Sequence, residues 1–194
     1  MNEVIEMYSG LRNQTGFMKH YLTLYSMVEG IEYPTFEFGT GISTKMIVMA
    51  QQTNVERHHI SNDLRDLSET GLDQEFIDAN LNTHWTFIQG DSRLISIPEQ
   101  GYGFVLHDGS HIPSIVHQDL KRILPYMMKG SVLAVHDTKE PNTALEQIVK
   151  QVTKDINCEL LTLPYGYGLT LVHILEDSKY GEVEHTWKKR KAWK

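Results

Sequence analysis

At 194 residues the chain has the length of one ordinary domain, enough to bury a core without disulfides or a structural metal. Apolar residues make up 40% and charged residues 22%, a globular composition, and the single Cys158 excludes both a disulfide framework and a cysteine-based zinc site. A net charge of −7 argues against a general nucleic-acid binder, because affinity for phosphate backbones rests on clustered Lys and Arg.

In chain order, Met1 to Gly10 holds two glutamates and no apolar run of signal-peptide length, and no window approaches a membrane span, so the expected location is the cytoplasm. Phe17, Tyr21, Leu24 and Val28 form one helical stripe, which predicts an N-terminal helical cover over 1–30. Thr35 to Phe38 then reads as a strand that ends in Gly39-Thr40-Gly41 and passes into a helix over Ser43 to Ala50. A weaker strand is signalled at His58 to Ser61, a polar helix runs to about Asn80, and Trp85 to Ile88 is a third strand ending at Gly90-Asp91.

The strongest segments follow. Gly103 to Leu106 is a buried strand, and Ser114 to Leu124 is a helix with Val116, Leu120, Ile123 and Leu124 on one face, stopped by Pro125. Gly130 ends the connection, and Ser131 to Val135 is another buried strand. A further amphipathic helix carries Leu145, Ile148, Val149 and Val152. Glu159 to Leu163 and Leu169 to Ile174 are two strands joined too tightly for a crossover helix, so they are antiparallel. The closing Trp187 to Lys194, WKKRKAWK, reads as a solvated tail or as an anion, membrane-surface or partner contact.

Strands alternating with helices, apolar without polar alternation, predict an α/β fold: a Rossmann-like, mostly parallel sheet with helices on both faces. A single domain is expected, with 31–175 as the core and 176–194 as a polar tail. Ligands of such sheets sit beyond the carboxyl ends of the strands, which sets Gly39 to Gly41, Asp91, Asp108 and Asp137 along one rim.

A glycine turn at a helix start lets backbone N–H groups approach an anion. Thr44 stands where the dinucleotide fingerprint wants a third glycine, and no Gly-Lys-Ser/Thr follows, so NAD and ATP readings lose ground. Glu37, inside the strand two residues before the first glycine, asks for a polar ligand.

Glu37-Phe38-Gly39-Thr40-Gly41 resembles the first motif, E-x-G-x-G, of the class I S-adenosylmethionine-dependent methyltransferases. Val105-Leu106-His107-Asp108-Gly109-Ser110-His111 through Asp119, Leu124-Pro125, Lys129-Gly130 and Val135-His136-Asp137-Thr138 resembles their small-molecule O-methyltransferase branch, which includes macrocin-type and cephalosporin-hydroxylase-like proteins. The resemblance runs from about Thr35 to Ile174 and implies a seven-stranded sheet whose last strand is antiparallel. It implies S-adenosylmethionine as cofactor: Gly39, Thr40 and Gly41 under the methionine part, with Glu37 and Asp108 beside them, and Asp91 with Ser92 at the adenine. The family carries an acid at the end of the second strand, where a carboxylate accepts both ribose hydroxyls. Here Ser61 takes that place, with Asn62 or, after a one-residue shift, Asp63 as substitutes.

Two apolar runs stop at His-Asp, and equivalent positions on adjacent strands lie about 5 Å apart, close enough for one divalent ion to bridge Asp108 and Asp137. In metal-dependent relatives such carboxylates hold Mg²⁺, so the resemblance makes Asp108, His136 and Asp137 metal candidates. His136 replaces an acid there, and imidazole suits Mn or another transition ion better than Mg. His111 is a candidate general base, Asp108 its substitute, and His136 a further catalytic candidate. His107 precedes Asp108 on a strand and is expected to point away. The resulting expectation is an enzyme that methylates a hydroxyl of a small molecule, with metal assistance open and a homo-oligomer that completes the pocket open as well. Two rivals stand beside it: a protein of this fold that binds a ligand or partner without transfer, and one using the site for hydrolase, hydroxylase or lyase chemistry.

Overall fold

The computed structural model describes residues 20–52, 57–139 and 143–177. Phe17 of the N-terminal stripe and the basic segment at 187–194 lie outside the described residues. Seven strands form one sheet: β1 (Thr35–Phe38), β2 (His59–Asp63), β3 (Trp85–Gln89), β4 (Tyr102–His107), β5 (Met127–His136), β6 (Cys158–Leu163) and β7 (Leu169–Ile174). Their order is β3-β2-β1-β4-β5-β7-β6. The pairs among β1 to β5 are parallel, and β7 runs antiparallel to both β5 and β6. This is the Rossmann-like arrangement expected above.

Helices α1 (Tyr21–Glu29), α2 (Ile42–Gln51), α3 (Gln74–Asn80), α4 (Pro113–Ile123) and α5 (Thr143–Thr153) cover the sheet. Strand alternation splits the core into two layers. Phe36, Phe38 and Val105 face α4 and α5, packing with Val116, Leu120 and Val149. Phe104, Leu106 and Ala134 face the other way, against Leu24 and Val28 of α1 and Met46 and Ile47 of α2. A third cluster seats Phe76 and Ile77 of α3 on Trp85 and Val48. Every residue of β1, β2 and β4 is buried, which is why none of them shows the polar alternation of a one-sided sheet.

Two strand boundaries differ from the sequence expectation by more than one residue. β2 does not stop at Ser61; it continues through Asn62 to Asp63, paired with Ile88 and Gln89 of β3. β5 starts at Met127, not Ser131, and Gly130 lies inside it with φ +80° beside a register shift against β4. The glycine absorbs a bulge in the strand rather than ending a loop.

Candidate active site

Register fixes which residues share the carboxyl rim. Phe38 is level with Asn62 on β2 and His107 on β4, and His107 is level with Val135 on β5. One step further come Gly39, Asp63, Asp108 and His136, and Asp137 follows. A cavity of about 510 Å³ opens over this rim, and Gly39, Asp63, Asp91, Ser92 and Asp108 are among its lining residues.

The glycine turn is tight for a steric reason. Gly39 has φ +97°, and a Cβ there would lie 2.6 Å from the Asp108 carbonyl oxygen. Only glycine combines that dihedral with that closeness. The turn is held from below by Glu37, which accepts hydrogen bonds from Ser43 Oγ and, at 2.6 Å, from Thr44 Oγ1; Thr44 Oγ1 in turn accepts from Gly41 N at 3.0 Å. Glu37 is fully buried and points to these partners, not into the cavity. Burial pushes its carboxyl up to about 8 despite the two hydroxyls. His59, also buried, lies 3.3 Å from Glu37 and is pushed down to about 3, so the two face each other as a neutral pair.

The ribose candidates separate clearly. Ser61 is buried under the turn, accepting from Thr40 Oγ1 and Trp85 Nε1, both at 2.9 Å, and does not line the cavity. Asn62 lines it but spends its amide hydrogens on the carbonyls of Ile88 and Gly90. Asp63 stands at the true end of β2, where the extra length of that strand carries it. Its Oδ2 accepts from Thr40 N at 2.9 Å, and Arg65 grips both oxygens. Burial opposes ionisation of Asp63, yet Arg65 and the backbone donors hold its carboxyl below the usual range.

Just past β3, Asp91 repeats this pattern with Arg93, which bonds both carboxylate oxygens and holds the group down to about 2. Asp91 is thus turned to Arg93, and Ser92 is turned to Asp119 of α4, donating to its Oδ2 at 2.8 Å. Asp119 also accepts from His107 at 3.2 Å, so His107 points away from Asp108 as its place on the strand requires. Sequence reasoning used Asp119 only as part of a motif and missed its position in this wall.

At the His-Asp ends, His111 Nε2 lies 2.7 Å from Asp137 Oδ2. Asp137, just past the end of β5, takes φ +56°, in the left-handed region. Single ligand atoms of Asp108, His111 and Asp137 lie within 4.8 Å of one another. His136 is committed elsewhere: its Nε2 donates to the Gly166 carbonyl at 3.0 Å, and its Nδ1 faces Asp108 Oδ1 at 2.9 Å. Nδ1 is also 3.2 Å from Asp137 Oδ1, but its one hydrogen is aimed at Asp108, so that buried oxygen is left without a hydrogen bond. Burial disfavours the charged ring, but Asp108, Asp137 and the Gly166 carbonyl together raise the His136 pKa. The geometry therefore puts His111, rather than His136, with the two aspartates as a set of outward ligand atoms.

His20, which no sequence signal marked, closes the far side. Its Nε2 lies 2.6 Å from the Tyr165 carbonyl, and its ring meets His136 edge-on at 5.7 Å. With Lys139 N donating to the Tyr167 carbonyl at 2.7 Å, the 164–168 loop is strapped over the rim. Tyr165 and Tyr167 themselves remain exposed.

A methyltransferase-domain family model matches residues 36–138, from β1 through Thr138, just over half of the chain. The chain belongs to this methyltransferase-domain family. No curated protein sequence matches it. Among solved structures it is similar to the O-methyltransferase NovP at 16% identity, over 82% of this chain and 81% of that one, with a TM-score of 0.64. The O-methyltransferase TomG from Streptomyces achromogenes, involved in tomaymycin synthesis and solved with S-adenosylmethionine, aligns at 14% identity over 81% and 80%, TM-score 0.58. MycE, the methyltransferase of the mycinamycin pathway solved with Mg, S-adenosylhomocysteine and mycinamycin VI, aligns at 16% over 82% of this chain and half of its own length, TM-score 0.57. These methyltransferases share the fold of the chain. Among the described residues no helix is long and apolar enough to cross a membrane.

Proposed function

We propose that the protein is an S-adenosylmethionine-dependent methyltransferase acting on a hydroxyl of a small molecule. The observation that carries the reading is the cavity on the carboxyl rim, lined by Gly39 of the glycine turn, Asp63, Ser92 and Asp108, with ligand atoms of His111 and Asp137 within 4.8 Å of Asp108. The neighbours bind this cofactor or its product in the same fold, which supports it further. Gly39 and the turn would lie against the methionine part, Asp63 would hold the ribose, and Ser92 the adenine edge.

Methyl transfer from a sulfonium to oxygen is an in-line displacement, so orienting donor and acceptor contributes much of the acceleration. The acceptor must also lose its proton. His111 is half exposed, oriented through Nε2 by Asp137, and leaves Nδ1 to take that proton. His136, hydrogen-bonded to Asp108 and to Gly166, offsets carboxylate charge near the sulfonium, whose positive charge vanishes in the reaction.

A second reading is favoured by the orphaned Asp137 Oδ1 and the close ligand atoms. Asp108, His111 and Asp137 would then hold a divalent ion, which would supply a lowered hydroxyl pKa for the acceptor. Two oxygens and an imidazole suit manganese or a later transition ion as well as magnesium. The test is mass spectrometry of hydroxylated acceptors incubated with S-adenosylmethionine, with and without chelator. A gain of one methylene mass that survives chelation supports the His111 base, and one lost on chelation and restored by Mn²⁺ supports the metal. Cofactor consumption with no methylated product would refute the transferase.

A further inference from the structure

Asp119 is 1% exposed, yet it lines the cavity, and its Oδ1 has no hydrogen-bond partner. A carboxylate oxygen that is both buried and unpartnered carries a desolvation cost that a ligand donor would relieve. Its other oxygen is filled by Ser92 Oγ at 2.8 Å and His107 Nε2 at 3.2 Å. The Ser92 hydroxyl has one hydrogen, and it is spent on Asp119. What Ser92 and Asp119 offer a ligand is therefore acceptor lone pairs alone. The turn that carries Ser92 is fixed from α4, because Arg122 donates to the carbonyls of Ser92 and Ile95. A fixed wall of acceptors matches a group with two hydrogens to give and repels one that only accepts.

We propose that Asp119, with Ser92, determines the base specificity of the cofactor site by accepting from the exocyclic amine of adenine and rejecting a 6-oxo purine. This rests on the cofactor reading above and adds to it a selecting residue from α4. Of the aspartates nearer the strand ends, Asp91 is gripped through both oxygens by Arg93, and Asp63 is taken by the ribose in that reading.

The test is calorimetric titration of the full chain with S-adenosylhomocysteine and with S-inosylhomocysteine, which carries a carbonyl where adenine has its amine. Wild type should favour the adenosyl compound about 10-fold or more, the range expected when a hydrogen bond to a charged group is replaced by facing acceptors. Asp119→Asn presents an N–H of nearly the same shape and should level or reverse the preference, with its melting temperature measured alongside. If that variant does not fold, Ser92→Ala should lower the preference in part. Equal binding of both compounds by wild type, or an undiminished preference in a folded Asp119→Asn or in Ser92→Ala, overturns the assignment and leaves the cofactor reading standing. Failure of wild type to bind S-adenosylhomocysteine at all removes both.

Discussion

Asp63 accepts four hydrogen bonds before any ligand arrives, from Thr40 N, Arg65 N, and Arg65 Nε and Nη2. Arg65 is half exposed and can yield, whereas the Thr40 bond is buried and ties the carboxylate to the glycine turn. Replacing Asp63 by Asn should weaken S-adenosylhomocysteine by about 1.5–3 kcal/mol, as expected for hydrogen bonds to a charged group, readable by calorimetry. His111→Ala should lower kcat about 100-fold or more while leaving cofactor binding intact, the usual size of a general-base contribution. Unchanged kcat would remove His111 from the chemistry. Glu37 and His59 give a pH prediction. Glu37 rises from 4.5 to about 8 on folding, so its contribution to stability is full below 4.5 and is lost up to about 8. His59 falls from 6.5 to about 3, so it opposes folding at low pH and ceases to do so above 6.5. Between 4.5 and 6.5 the two slopes cancel, and above that only the decline from Glu37 remains. Thermal melts of Glu37→Gln should lack that decline between pH 6.5 and 8.

At the scale of elements, the glycine turn is the most demanding piece. Gly39→Ala would add a Cβ 2.6 Å from a backbone oxygen at a left-handed dihedral, so both β1–β4 packing and cofactor affinity should suffer. A loss of about 1–3 kcal/mol in chemical denaturation, with no detectable ligand binding, is expected. The elements most legible from sequence are those with a clean apolar run or stripe, among them β1, β3, β4, β6, β7, α4 and α5. β2 was legible only in part. Its Asn62-Asp63 end looks like a loop, because Asn and Asp are depleted in strands, and only the tertiary partners of Ser61 and Asn62 keep those polar groups satisfied inside the sheet. That boundary decided whether Ser61 or Asp63 reached the rim. The positive φ of Asp137 and the bond from His136 to Gly166 depend on long-range packing, so no local pattern could distinguish the outward His111 from the committed His136.

Across the whole molecule, the parallel sheet buries both faces and leaves function to the carboxyl rim, while α1 and the 164–168 loop close over that rim through His20. The family match ends at Thr138, so the His20 strap and the tyrosine loop lie outside the part this chain shares with the family model. Because a ligand that binds only the folded state stabilises it by mass action, S-adenosylhomocysteine at one hundred times its Kd should add about 2.7 kcal/mol and raise Tm. The most direct measurement is calorimetric titration of the intact protein with S-adenosylhomocysteine. A saturable, one-to-one isotherm that weakens in Asp63→Asn is expected. The absence of binding at millimolar ligand would contradict a methyltransferase built on this rim.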